Sequence, residues 1–103
     1  MKIRIQPSAK QDIRRGYRFY ELRESGLGSY FSDSIYTSID SLQLYAGMHG
    51  MCGTLYRFHA RPFPFWIYYR IENDTCFIVA VLDARQNPET IQSIEQSRGG
   101  NPD

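Results

Sequence analysis

This chain of 103 residues contains only two cysteines, has a net charge of only +1 and lacks long apolar runs. No run approaches the 18 apolar residues of a transmembrane helix, and the N-terminus MKIRIQPS lacks the apolar stretch of a signal peptide. These absences predict a cytoplasmic protein that does not act at a membrane. Only Cys52 and Cys76 are present, so we expect free thiols rather than a structural disulfide, with Cys76 buried as a small hydrophobic residue.

The net charge of +1 is distributed unevenly along the chain. Residues 1–25 carry seven cations against three acids, whereas residues 26–50 carry two acids and no cation. A helix with its cations toward solvent is the simplest explanation, because an autonomous nucleic-acid-binding protein usually has a stronger basic excess. The overall charge therefore argues weakly against such a protein.

Three adjacent runs within residues 55–88 are rich in aromatic and β-branched residues, a composition typical of strands. Arg-Pro and Glu-Asn-Asp separate the runs, which predicts tight turns and an antiparallel meander. Side chains alternate between the two faces of a strand, so Arg57 and His59 should share one face. Of the aromatic residues in the second run, about half should face the core and half the opposite face.

The N-terminal part predicts a strand followed by a helix. Residues 2–6 alternate polar with apolar side chains, which indicates a short strand that joins the sheet. Residues 8–24 carry apolar residues at helical spacing, and Ser8 with Gln11 resembles a capping box at the start of that helix.

A second periodic set of apolar residues predicts another helix over 27–47, which would form a helical hairpin with the first. The glycines of 47–53 indicate a loop, and Pro88 can open a short C-terminal helix over 88–97. We therefore expect an α+β fold in a single domain over 1–98. A flexible tail should follow at 99–103.

Several segments, in this order and spacing, carry a resemblance to the RelE/ParE superfamily of type II toxin-antitoxin toxins. They are Ile5 to Ile13, Gly26-Leu27-Gly28 before Phe31, Leu42, Tyr56-Arg57, Phe63-Pro64-Phe65, Tyr68-Tyr69-Arg70-Ile71, Val79 to Arg85, and Asn87-Pro88. The resemblance covers nearly the whole chain and is closer to the ParE-like branch. It implies a toxin that a cognate antitoxin neutralises by wrapping it.

Toxins of this superfamily either cleave ribosome-bound mRNA or poison DNA gyrase, so the resemblance implies one of two targets. In the ribonuclease branch, Arg57 falls at a basic position, His59 falls near the general base, and Arg85 falls at the phosphate-binding arginine after the last strand. These three residues are the catalytic candidates under that alternative.

Three departures from the ribonuclease pattern weaken that alternative. Trp66 stands where those enzymes carry an arginine, Ile91 where some carry a tyrosine, and Asp83 where other branches carry a histidine. Asp83 could also pair with Arg85, two residues away, and would repel a phosphate. We therefore favour a gyrase inhibitor, while a ribosome-dependent mRNA endonuclease and an inactive relative that binds only antitoxin remain open.

The partner-binding candidates are arginines and aromatic residues of the sheet, since these residue types dominate interface hot spots. They are Arg57, Arg61, Trp66, Tyr68 and Arg85. The expected partner is the antitoxin, with gyrase, or the ribosome and mRNA, as the target. Exposed sheet edges also suggest a homo-oligomer or a hetero-oligomer with the antitoxin.

We expect no cofactor and no metal. His49 and Cys52 have a His-x-x-Cys spacing, but His59 and Cys76 lie on different predicted strands, so the four residues do not form the paired motif of a zinc site.

Overall fold

The computed structural model describes residues 1–85 and 88–98. The elements follow one another as β1 (Lys2–Ile5), α1 (Pro7–Glu21), α2 (Leu27–Asp40), α3 (Leu42–Tyr45), β2 (Met51–Cys52), β3 (Leu55–His59), β4 (Phe65–Glu72), β5 (Thr75–Asp83) and α4 (Pro88–Arg98). This arrangement confirms the predicted α+β class. The predicted tail at 99–103 lies outside the described residues.

The strands form one sheet in the order β1-β5-β4-β3-β2. The predicted meander is confirmed, because β3 pairs antiparallel with β4 and β4 pairs antiparallel with β5. The N-terminal strand joins the sheet as expected and runs parallel to β5, with Ile3 opposite Cys76. Because β1 ends opposite Ile78, the last five residues of β5 extend beyond it.

The prediction of a loop over 47–53 was wrong in its second half. Met51 and Cys52 form the short strand β2, which pairs with Tyr56 and Leu55 and adds a fifth strand to the sheet. Gly53 permits this hairpin because its φ of 65° suits the two-residue turn before Leu55. A strand of two residues is too short to produce a visible alternation.

The expected capping box of the first helix was also wrong. Helix α1 begins at Pro7 and its N-cap residue, Gln6, makes no side-chain cap hydrogen bond. Proline suits the first helical position because its missing N–H would have no partner there. Ser8 instead donates its hydroxyl to the carbonyl oxygen of Val79 at 3.1 Å, so it joins α1 to β5.

The two helices pack as the predicted hairpin, although the second helix ends earlier than expected. A break at Ser41 separates α2 from α3, and both end before residue 47. The Glu21 carboxylate accepts hydrogen bonds from the backbone N–H groups of Gly26, at 3.1 Å, and Gly28, at 2.9 Å. The last residue of α1 thus satisfies amides at the start of α2 that have no partner within that helix.

The main core lies between the helical hairpin and one face of the sheet. Its buried residues include Ile13, Phe31, Ile35, Ile67, Tyr69 and Ile78. Phe31 packs edge-on against Phe63 and Phe65, with ring centroids 5.2 and 4.9 Å apart. Burial of apolar area is the main stabilising contribution here.

A second apolar cluster occupies the other face of the sheet and consists of Leu55, Tyr68, Val79, Ala80 and Leu82. Ile94 of α4 packs against this cluster, so the C-terminal helix covers part of the sheet face opposite the helical hairpin. The register between β4 and β5 shifts between Tyr68 and Tyr69, which leaves Val79 as an extra residue in β5. Such a bulge exchanges the faces of the residues that follow it.

The helix predicted over 88–97 is confirmed as α4, Pro88–Arg98. Residues 86 and 87 fall outside the described part of the chain, and with them Asn87 of the quoted Asn87-Pro88 motif. None of the helices in the described ranges has the length and apolarity needed to cross a membrane.

Candidate interaction and catalytic site

Arg57 and His59 lie on the sheet face opposite the helical hairpin. Arg57 pairs across the strands with Tyr68, and His59 pairs with Trp66. Their neighbours Tyr56 and Phe58 pack instead against the main core. The prediction that Arg57 and His59 share a face is therefore confirmed.

Trp66 forms the centre of a small platform with Arg57 and His59. The guanidinium carbon of Arg57 lies 4.1 Å from the Trp66 ring centroid, a cation-π distance. The His59 ring centroid lies 3.9 Å from the Trp66 centroid at an interplanar angle of 38°. Arg57 and Trp66 are half-buried, whereas His59 is exposed. We call these three residues the Trp66 platform.

Arg61 and Tyr68, two further partner-binding candidates, differ in accessibility. Arg61 is exposed in the turn after β3. Tyr68 has only 2% of its surface exposed, because it belongs to the second apolar cluster against which Ile94 packs. In this conformation the Tyr68 side chain supports the sheet rather than offering a contact surface.

Arg85 is held by Asp83 through three contacts. The Arg85 backbone N–H and Nε donate to Asp83 Oδ1 at 2.8 and 2.9 Å, and Nη2 donates to Oδ2 at 2.6 Å. These hydrogen bonds lower the pKa of Asp83, and the same pairing raises the pKa of Arg85. The predicted pairing is confirmed, so the carboxylate already occupies the fork that would bind a phosphate.

Arg85 lies away from the Trp66 platform. Asp83 pairs with Phe65, which belongs to the main core. Burial raises the pKa of Tyr20, and the Arg85 guanidinium is close enough to oppose that rise. Tyr20 packs against the same core. Across residues 1–85 and 88–98, no hydrogen bond, ion pair or ring contact joins Arg85 to Arg57 or His59.

A second arginine-aromatic pair on the platform's face was missed from the sequence. The Arg70 guanidinium carbon lies 4.6 Å from the Phe77 ring centroid, and Nε lies 3.5 Å from a Glu72 carboxylate oxygen. The Arg70 side chain is 12% exposed. The alternation of side chains along β4 could have indicated that Arg70 lies on this face, since residues 66, 68 and 70 share a face.

The residues considered for zinc have other roles or lie apart. His49 Nδ1 lies 2.6 Å from the Tyr69 hydroxyl, and its ring stacks on Phe58 with centroids 4.4 Å apart. Both cysteines are free thiols, as expected, and burial raises the pKa of Cys76 to about 12. Among the described residues, no three His, Cys, Asp or Glu side chains come together as metal ligands.

Comparisons with known proteins agree with this architecture. The family model described as "ParE toxin of type II toxin-antitoxin system, parDE" matches residues 3–88. A solved structure titled "Chromosomal ParDE TA system from P. aeruginosa" has a similar fold, with a TM-score of 0.69 and 16% sequence identity over 79% of this chain and 92% of that chain. No curated protein matches the sequence. The family match confirms the resemblance stated above, and the chain belongs to the ParE toxins of type II toxin-antitoxin systems.

Proposed function

We propose that this toxin arrests growth by inhibiting DNA gyrase in the cytoplasm and that a cognate antitoxin neutralises it. The family match over residues 3–88 supports the gyrase target. The similar solved structure is a ParDE toxin-antitoxin system, which supports an antitoxin partner. In this proposal the chain acts by binding, without covalent chemistry of its own.

The observation that carries the choice of gyrase over mRNA is the separation of Arg85 from Arg57 and His59. A ribonuclease needs a general base within hydrogen-bond reach of the 2′-hydroxyl and a cation beside the phosphate that is attacked. Here Asp83 occupies the Arg85 fork. His59, the candidate base, packs at a tilt against the Trp66 ring on the other face of the sheet. These separate contacts support a binding role over a catalytic site shared by the three residues.

The Trp66 platform and Arg61 are the proposed contact surface for the antitoxin. Tryptophan and arginine dominate interface hot spots because they bury a large area and also offer hydrogen-bond donors. The Arg57 side chain is already held over Trp66, so it loses less conformational entropy when a partner binds. An amphipathic antitoxin segment with an acidic residue near its apolar face would match this surface.

The test is to induce the chain without a partner in bacteria and to follow DNA, RNA and protein synthesis separately by pulse labelling. The proposal predicts that DNA synthesis stops first and that cells filament. If translation stops first while replication continues, the gyrase proposal is wrong. The control is a variant that is expressed at the same level but cannot fold, as shown by its loss of solubility. It measures the effect of overexpression alone on DNA, RNA and protein synthesis.

One observation favours the mRNA endonuclease as the second candidate, since Arg57 and His59 lie side by side on the Trp66 platform. His59→Ala separates the two candidates. Under gyrase inhibition the variant keeps its toxicity, because no proton transfer depends on the imidazole. Under ribonuclease activity it loses both toxicity and cleavage of ribosome-bound mRNA.

A further inference from the structure

The outer face of α1 carries a line of cations. Lys10, Arg14 and Arg18 recur every four residues, so they lie one above another on the helix, and all three are exposed. Arg4 extends the line onto β1, because Arg4 and Lys10 border one shallow pocket of about 200 Å³. We call Arg4, Lys10, Arg14 and Arg18 the basic strip.

Both acids of α1 are engaged in hydrogen bonds, although Glu21 lies on the helical face of the strip, three residues after Arg18. Asp12 is buried, with a side chain only 1% exposed, and it accepts hydrogen bonds from Arg98 and from the backbone N–H of Val81. Glu21 accepts hydrogen bonds from the amides at the start of α2. From Lys10 to Arg18 the exposed positions of α1 therefore carry cations without an acid among them, although the net charge of the chain is only +1.

We propose that the basic strip binds the sugar-phosphate backbone of duplex DNA. Lys10 and Arg18 are eight residues apart, which corresponds to about 12 Å along a helix. Duplex DNA presents about seven phosphate charges over that length, at one charge per about 1.7 Å. Guanidinium groups suit this partner because their planar fork can donate two hydrogen bonds to one phosphate.

The composition of the strip favours a nucleic acid over an acidic protein surface. Protein interfaces usually have an apolar centre with charges at the rim. Between Lys10 and Arg18 the exposed positions carry Gln11, Arg14, Arg15 and Tyr17, and the only aromatic side chain among them is Tyr17, which is 37% exposed. A polyanion needs no apolar centre, since release of condensed counterions supplies most of the binding free energy.

DNA binding by the basic strip does not depend on gyrase being the target. The strip and the Trp66 platform belong to different elements, β1 with α1 for the strip and β3 with β4 for the platform. A toxin that holds both DNA and a protein partner would suit a target that itself carries DNA. Loss of DNA binding and loss of gyrase inhibition can therefore be measured separately.

The test measures fluorescence anisotropy of a labelled random-sequence duplex with the purified chain at several salt concentrations. Four phosphate contacts predict a slope of about −3.6 in log affinity against log salt, at about −0.9 per contact. Arg14→Ala with Arg18→Ala should reduce that slope by about two and weaken binding about tenfold or more at low salt. Circular dichroism checks that the variant is folded.

The matched control changes the net charge by the same amount elsewhere, with Thr37→Glu and Leu44→Glu on exposed positions of α2 and α3. It should bind DNA with nearly the wild-type salt slope. An equal loss of affinity in both double variants would overturn the proposal, because net charge alone would then explain binding. The proposal also fails if the wild-type chain shows no salt-dependent binding, or if polyglutamate competes as well as unlabelled duplex at equal charge.

Discussion

The carboxylate of Asp12 links three elements, because its Oδ2 accepts hydrogen bonds from Arg98 Nη1 at 2.7 Å and from the Val81 backbone N–H at 3.0 Å. Val81 lies in the part of β5 that extends beyond β1. Ser8 and Arg98 both donate to the neighbouring carbonyl oxygen of Val79. Side chains from α1 and α4 thus satisfy the backbone groups of an edge that has no strand partner within residues 1–85 and 88–98.

Asp12→Ala should lower the free energy of unfolding by about 3 kcal/mol, because it leaves the half-buried Arg98 guanidinium without its carboxylate partner and the Val81 N–H without an acceptor. Urea denaturation followed by circular dichroism measures this loss. Arg15→Ala is the matched control, since Arg15 also pairs with Asp12, at 3.3 Å, but is 67% exposed. It should cost less than about 1 kcal/mol. Equal losses in the two variants would contradict the role given to burial.

His49 should make stability depend on pH. Burial lowers the pKa of His49 in the folded chain below its unfolded value of about 6.5, so the unfolded chain binds the proton more readily. The contribution of His49 is fully present above pH 6.5 and is lost as the pH falls from there toward the lowered pKa. Protonation would also place a hydrogen on Nδ1, which faces the Tyr69 hydroxyl that already accepts from Gly47.

The measurement for His49 is the midpoint of urea unfolding at a series of pH values from neutral to mildly acidic. His49→Gln should flatten the decline in the midpoint over this range. His59→Gln removes the other histidine, from the exposed end of β3, and is the matched control. If His59→Gln flattened the decline as much as His49→Gln, the assignment to His49 would be wrong.

Gly28 should resist substitution because α1 and α2 approach closely there. A Cβ atom at Gly28 would lie 2.7 Å from the Tyr17 carbonyl oxygen, a backbone atom that cannot move without shifting α1. We expect Gly28→Ala to lower the midpoint of thermal unfolding and the free energy of unfolding, the latter by about 1 to 3 kcal/mol. Gly50→Ala has open space around its new Cβ and should stay near wild type.

Arg85→Ala should reduce toxicity without unfolding the chain. The Arg85 side chain is 68% exposed and its ion pair with Asp83 lies at the surface, so its removal should leave the unfolding midpoint close to wild type. A growth assay at equal expression measures toxicity, with Arg23→Ala as the control because Arg23 is another exposed arginine over an aromatic ring. Unchanged toxicity of Arg85→Ala would remove Arg85 from the partner-binding candidates.

The sequence predicted those features that depend on local patterns. Alternation of side chains placed Arg57 and His59 on one face, and the spacing of two residues allowed the pairing of Asp83 with Arg85. The short strand β2 escaped prediction because Met51 and Cys52 are too few to show a period. The real partner of Ser8 escaped it because Val79 lies 71 residues away in sequence.

The arrangement of the candidate site depended on long-range geometry that no local pattern contains. Arg98 reaches Asp12 across 86 residues, and the bulge at Val79 has no signature in the sequence. The α4 contact through Ile94 likewise explains why Tyr68 is buried although alternation placed it on the same face as Trp66. The sequence therefore predicted correctly which face of the sheet carries Tyr68, but it did not predict that Tyr68 is buried there.

The measurement that tests the central claim most directly combines the purified chain with DNA gyrase, ATP and relaxed plasmid. Supercoiling and covalently cleaved plasmid are followed on agarose gels after detergent and protease treatment. Gyrase inhibition predicts that supercoiling falls and that linear, gyrase-linked plasmid accumulates with increasing chain. Unchanged supercoiling, together with cleavage of mRNA when the same preparation is added to translating ribosomes, would contradict it.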